Sequence, residues 1–233
     1  MNQNFFKGVE WTAKVRCFGK PMSVVMAFAS GEEMETIRSW EDYAAWAADC
    51  SLSDQAGNQQ RDQQDILEYA SLLGGMYQVY DSNGRFADSA TRLERIIQDN
   101  PREDALFVFV MKLPAFGAVP APFANGEILG FAAMRHTWKN TVKLEYLATN
   151  PFHKGTGAEM HGVGSSLLAA SVYSSAILSA PMFWGESTDT SLGFYLDRKF
   201  KTLEEIVFLD SAGITRFVED AIRKLRRSRH DIH

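Results

Sequence analysis

In the stretch HGVGSSLLAASVYSSA, Gly162 and Gly164 stand two apart, directly ahead of a segment that reads as a helix. The first N–H groups of a helix have no partners inside it, and that end carries partial positive charge. Bare backbone there lets a phosphate approach the amides closely. Residues His161, Gly162, Val163, Gly164, Ser165 and Ser166 are therefore a candidate phosphate cradle, with both serine hydroxyls as extra donors. A Gly-x-Gly pair also serves plain tight turns, so the neighbouring elements decide what it holds.

Those elements read as follows. VEWTAKVRCF and MSVVMAFAS, joined at Gly19-Lys20-Pro21, are strands of a hairpin. Ser30 and Glu33 have capping-box spacing and open a helical stretch through about Asp49, with Ile37, Trp40, Ala44 and Ala47 at helical intervals. SLSDQAGNQQRDQQD is polar and reads as a loop. Helices over Asp65 to Val79 and Ser89 to Gln98 follow, separated at Asp81-Ser82-Asn83-Gly84. ALFVFVMKL, EILGFAAMRHTW and TVKLEYLAT are then three strands with short links. The glycine turn, its helix, the strand PMFWGES, a short helix through SLGFYLDRK, the strand TLEEIVFLD and a helix from about Ile214 to Arg226 complete the chain. This order predicts an α/β fold: a mixed, mostly antiparallel sheet with one central parallel crossover, flanked by helices.

Composition narrows the function classes. With 233 residues, 45% of them hydrophobic, the chain can build a sizeable core, and no linker divides it. A net charge of −5 gives no global basic field for nucleic acid, and the basic tail RKLRRSRHDIH suits a helix C-terminus. No apolar run is long enough to span a membrane. KVRCFGKPMSVVMAFAS mimics a secretory signal, but its apolar run is short and far from Met1. Cys17 and Cys50 form no disulfide framework and lack metal-ligand spacing, so a reducing cytoplasm is expected. His136 and His153 have no neighbours at metal spacing, and no metal is expected. The oligomeric state is open, a homodimer included.

From about Ala105 to Leu209 the order of pieces resembles the GNAT superfamily of N-acyltransferases: strand KLEYLATNP, glycine turn, helix, strand MFWGES, then GFYLDRKF with its Tyr195. The resemblance implies a single GNAT-like domain over 1–233. Residues 1–104 would carry the N-terminal strands and acceptor-side helices, 105–209 the acyl-CoA core, and 210–233 the last helix and tail. It implies transfer of an acetyl group from acetyl-CoA to a primary amine, with the diphosphate on the glycine turn. Leu147, Ala148 and Thr149 would lie along the pantetheine arm, a backbone N–H near Leu147 would polarise the carbonyl, Glu145 would act as base, and Tyr195 would protonate the thiolate. Trp40, Tyr43 and Glu186 would border the acceptor. Each has a plainer role available: Tyr195 and Trp40 as core, Glu145 as a solvated strand residue, Asp189 as a helix cap.

The sequence also departs from the family pattern. Glu159 stands where Gln or Arg is usual, the loop from Pro151 to Gly162 is longer, Lys199 replaces a glycine, and Thr188 sits where Asn is frequent. Lys154, His153 or His161 could supply the missing positive charge. Glu159 and the long loop suit a second reading, a non-catalytic acyl-CoA-binding module. A dinucleotide site is a third, with Glu186 on a ribose. Against it, Leu167 fills the third glycine position and no alternating βαβ series is present.

Overall fold

The computed structural model describes residues 11–17, 20–42, 57–117, 119, 123–151, 160–189 and 191–230. Strands β1 (Trp11–Cys17) and β2 (Lys20–Phe28) form the expected hairpin. Helix α1 (Gly31–Arg38) ends in a 3-10 turn (Ser39–Asp42), and α2 (Gly57–Ser82), β3 (Phe86–Ala87) and α3 (Ala90–Asp99) follow. Next come β4 (Ala105–Lys112), β5 (Ile128–His136), β6 (Val142–Thr149), β7 (Met160–His161) and α4 (Val163–Ile177). The order closes with β8 (Met182–Glu186), α5 (Leu192–Leu196), β9 (Lys201–Leu203), β10 (Ile206–Asp210) and α6 (Ser211–His230).

One sheet carries the order β7-β1-β2-β4-β5-β6-β8-β10-β9, with β3 beside β4. Neighbours are antiparallel except β6 with β8, joined by the α4 crossover, and the short β3 with β4. The mixed, mostly antiparallel architecture expected from the sequence is therefore present, with β3/β4 as an additional parallel pair.

The run ALFVFVMK is apolar throughout because both faces of β4 are covered. Phe107, Phe109 and Met111 belong to one buried cluster with Leu167 and Leu168 of α4, Leu93 of α3 and Ile214 of α6. Leu106, Val108 and Val110 belong to another with Met34 and Ile37 of α1, Leu73 of α2 and Phe131 of β5. The strand's period of two divides the residues between the layers. Gly130 brings α4 down onto β5: a Cβ there would meet Ala148 O at 2.7 Å and Val163 Cγ1 at 2.9 Å.

Three boundaries differ from the sequence reading. The stretch read as a loop is helical from Gly57, since its Gln and Arg residues are good helix formers and polarity alone does not exclude a helix. Residues Met160 and His161, expected in a loop, pair with Cys17 and Arg16 at the sheet edge. The C-terminal helix starts at Ser211, where Asp210 Oδ1 accepts from the Gly213 N–H at 2.8 Å. The predicted capping box is present: Ser30 N donates to Glu33 Oε2 at 2.8 Å and Glu33 N to Ser30 Oγ at 3.2 Å.

Candidate active site

Strand β6 carries one residue more than β5 at a single point. Ala133 faces Tyr146 and Met134 faces Leu144, so Glu145 is a bulge. A bulge bends its strand and sharpens the local twist. On its other side β6 runs beside β8 only from Val142/Phe183 to Leu144/Gly185. Gly185 permits that last close approach, since a Cβ there would lie 2.9 Å from Leu144 O. Beyond it the strands part, and among the described residues Glu145–Thr149 have no strand on the β8 side. A cleft of about 220 Å³ fills the opening, lined by Leu144 to Thr149, Gly164, Glu186, Thr188, Ser191, Phe194, Tyr195 and, from α2, Asp65, Ile66 and Tyr69.

The glycine turn opens beside this cleft. Gly162 has φ +98°, a left-handed conformation that favours glycine, and it caps α4 with no side chain. The first intrahelical bond runs from Ser166 N to Gly162 O at 2.9 Å. Among the described residues, the N–H groups of Val163, Gly164 and Ser165 have no protein acceptor. A Cβ added at Gly162 or Gly164 would meet nothing within 4 Å. The cradle is thus narrower than the sequence suggested, because the Ser166 N–H is used inside the helix and His161 is tied to β1.

Positive charge reaches the cradle from α5. Arg198 donates from Nη2 to Ser165 Oγ and from Nη1 to Phe194 O, both at 2.6 Å, and its guanidinium stacks 3.6 Å from the Phe194 ring centroid. Burial pulls its pKa down against the opposing charge of the adjacent Asp197, and among the described residues no carboxylate forms an ion pair with it. A partly buried cation against the positive end of a helix leaves that spot in want of an anion.

Tyr195 is 5% exposed and lines the cleft. Two bonds past the helix end hold it: Phe200 N to Tyr195 O at 3.2 Å and Lys199 N to Leu196 O at 2.9 Å, a Schellman motif. The Phe200 ring packs 5.4 Å from that of Tyr195. Its hydroxyl has no protein partner among the described residues. The one fully enclosed unsatisfied side-chain atom described is His136 Nδ1, so the Tyr195 oxygen keeps access to the cleft. Burial pushes this hydroxyl up to about 12, so it is an acid that stays protonated at neutral pH.

Glu145, expected as the base, has both oxygens occupied: Oε1 accepts from Arg135 Nε at 2.6 Å and Oε2 pairs with Lys143 Nζ at 3.1 Å. Lys143 also reaches Glu186 Oε1 at 2.9 Å, and Arg135 reaches Asp104. Burial disfavours the charge on Arg135 and on Lys143, but the carboxylates outweigh it and hold both pKa values up. The chain of charges ends at Glu186, whose side chain is 66% exposed and which keeps one oxygen clear of Lys143.

Of the residues singled out in the sequence, the cleft brings together Glu145, Leu147, Ala148, Thr149, Gly164, Glu186 and Tyr195. Trp40 lies elsewhere: the 3-10 turn after α1 sends it into the core, 2% exposed and 5.6 Å from Phe131. It borders a separate open cleft of about 1040 Å³ that shares no lining residue with the one holding Tyr195. Tyr43, His153, Lys154 and Glu159 lie outside the described residues. Asp189 makes no capping bond among them; the Ser191 hydroxyl takes the Thr188 N–H at 2.9 Å instead. Sequence reasoning missed Arg198, Asp65 and Tyr69. Arg198 was next to the tyrosine motif, but its reach to Ser165 depends on packing across 33 residues.

No family model matches the sequence, and no curated protein does either. Solved structures do resemble it in fold. A GNAT-family acetyltransferase from Brucella melitensis, in complex with acetyl-CoA, gives a TM-score of 0.44 at 13% identity over 81% of this chain and 88% of that one. A GNAT-family structure from Desulfovibrio desulfuricans gives 0.43 at 12% over 80% and 98%. A GNAT-family acetyltransferase from Staphylococcus aureus Mu50 gives 0.40 at 9%, again over 80% and 98%. A sheet that is antiparallel except at β3/β4 and β6/β8 does not build the alternating βαβ series of a dinucleotide fold, and the third reading of the glycine turn falls. No described helix is long and apolar enough to cross a membrane, and no group of His, Cys, Asp or Glu among the described residues could hold a metal.

Proposed function

We propose that this chain is an N-acetyltransferase of the GNAT type, moving an acetyl group from acetyl-CoA to a primary amine. The observation that carries the reading is the parting of β6 from β8 after Leu144/Gly185, with an unfilled helix start and Tyr195 both lining the opening. The residues fit such a cosubstrate. The amides of Val163, Gly164 and Ser165, with Arg198 beside them, suit a diphosphate. The unpaired edge of Glu145–Thr149 suits the amides of a pantetheine arm, as an added strand would.

The cosubstrate supplies an activated thioester carbonyl. A β6 N–H near Leu147 donates to its oxygen and favours attack. Glu186, directly or through one water, takes a proton from the amine nitrogen. The C–N bond forms, the C–S bond breaks, and the Tyr195 hydroxyl gives its proton to the departing sulfur and recovers one from solvent. Glu145 fixes Arg135 and Lys143 and so positions Glu186. The products are an amide and free coenzyme A.

The test is to incubate the protein with acetyl-CoA and a panel of primary amines, following free thiol and the acetylated product by mass spectrometry. Acetyl-CoA-dependent acetylation is expected. Tight acetyl-CoA binding with no product on any amine would replace this reading with the non-catalytic binding module.

A further inference from the structure

The cleft has a charge pattern that transfer to a simple amine does not require. Along the ion-pair chain, three carboxylates (Asp104, Glu145, Glu186) face two cations (Arg135, Lys143), leaving one negative charge over. Of the two end carboxylates, Asp104 is largely buried and its second oxygen accepts from the Trp138 N–H at 2.8 Å, whereas Glu186 is 66% exposed and lines the cleft, so Glu186 is the one an incoming cation can reach. A further carboxylate, Asp65 of α2, lines the same cleft and has no cationic partner among the described residues.

The same cleft carries aromatic faces. Tyr69 of α2 and Tyr146 of β6 stack with ring centroids 5.2 Å apart, and both line the cleft. Stacked tyrosines next to the unpaired Asp65 and the partly paired Glu186 give a surface on which an ammonium group gains from charge and from ring quadrupoles together. Burial first, then neighbouring carboxylates, raise the pKa of both hydroxyls, Tyr69 by Asp65 and Glu68 and Tyr146 by Glu145 against the opposing charge of Lys143. A separate observation points the same way: Tyr195, 5% exposed and with no protein partner for its hydroxyl among the described residues, presents an unpartnered polar group to the same cleft.

We infer that the acceptor is a slender aliphatic amine with a second ammonium group, that group held by Asp65 and the Tyr69–Tyr146 pair while the reacting nitrogen lies toward Glu186. The inference rests on the acyl-transfer reading for which nitrogen reacts, but the binding preference stands apart from it. An acceptor with a carboxylate in place of the second ammonium would meet Asp65 and Glu186 as like charges.

The experiment is titration calorimetry of the full chain, with coenzyme A present, against 1,4-diaminobutane and n-butylamine. The diamine is expected to bind about tenfold more tightly, as one well-placed charge contact allows. That advantage is expected to shrink severalfold in Asp65→Asn and in high salt, and Tyr69→Leu, which keeps a bulky apolar side chain, is expected to reduce it in part. Equal affinities for the two amines, binding of neither, or a diamine advantage unchanged in Asp65→Asn would overturn the inference. Thiol release from acetyl-CoA is scored separately. Its absence alongside an intact diamine preference would remove the acyl-transfer reading and leave the cation site in place.

Discussion

Arg198 and Ser165 are joined by a 2.6 Å hydrogen bond that ties the end of α5 to the first turn of α4. The guanidinium has five donors, of which this bond and the one to Phe194 O occupy two, leaving the remainder for an anion at the glycine turn. Replacing Arg198 by Ala is expected to weaken coenzyme A binding by about ten- to a hundredfold, the worth of a charge-assisted contact. Lys at this position recovers only part, since it lacks the planar fork and the stack on Phe194. Calorimetry on both variants checks this, and unchanged affinity in Arg198→Ala would take the arginine out of the phosphate site.

Gly164 gives the cleaner probe of the cradle. A Cβ at either glycine of the turn has free space, but Gly162 sits at φ +98°, where any side chain is strained regardless of a ligand. Gly164 lies inside the helix, where Val is tolerated at a cost of well under about 1 kcal/mol relative to other ordinary residues. Gly164→Val is expected to keep its melting temperature within a few degrees while losing coenzyme A binding. Normal affinity in a folded Gly164→Val protein would mean that nothing approaches the backbone there.

Tyr195→Phe is expected to lower kcat by about a hundredfold or more, the usual worth of a positioned general acid, with little change in acetyl-CoA affinity. Because burial raises the hydroxyl to about 12, Tyr195 should contribute no falling limb to the rate profile until the pH nears that value. A basic limb near neutral pH that disappears in Tyr195→Phe would contradict both the burial and the role. The pH dependence of kcat in the two proteins decides it.

Glu33 allows an electrostatic test away from the cleft. Burial opposes its charge, but Lys112, at 2.5 Å, and the Ser30 N–H outweigh that and hold its pKa below 4.5. A carboxylate lowered in this way stabilises the fold above its unfolded pKa, and the contribution is lost as pH falls through the folded value. Glu33→Gln keeps the reciprocal cap, because Gln also serves at that position. It should therefore cost on the order of 1 kcal/mol at pH 7, with the gap closing as the pH drops below about 4. Denaturant midpoints at the two pH values measure the difference.

The hairpin, the cap at Ser30, the mixed, mostly antiparallel sheet and its central parallel crossover were legible because each follows from local pattern: alternation, cap spacing and glycine placement. The candidate site was legible only where it is local in the chain. Gly162 and Tyr195 announce themselves through their neighbours. The Glu145 bulge was invisible, because a bulge is a relation between two strands, and LEYLAT reads as a plain strand without knowing what lies opposite. For the same reason Glu145 read as a free base: its partners Arg135 and Lys143 are fixed by register, and the sequence does not show which carboxylate they hold. Trp40 was misplaced because helical spacing identifies a face and not the layer that face meets.

Lys199, where the sequence departs from the GNAT pattern it resembles, sits at a strained point of the fold. It stands where a glycine is usual and has φ +66°, at the left-handed position of the Schellman motif that ends α5. A residue with a Cβ is disfavoured in this conformation by about 1 kcal/mol, and the Phe200–Tyr195 contact and the two capping bonds hold it there against that cost. Lys199→Gly removes the steric penalty, although it also loosens the unfolded chain, so the net gain is expected to be about 0.5–1 kcal/mol. For a chain of this length that is about 1–4 °C in melting temperature. Coenzyme A affinity should not move, since Arg198 and not Lys199 faces the cradle. A destabilised Lys199→Gly protein would mean that Lys199 makes a compensating contact and that the left-handed turn is not the strained point it is taken to be.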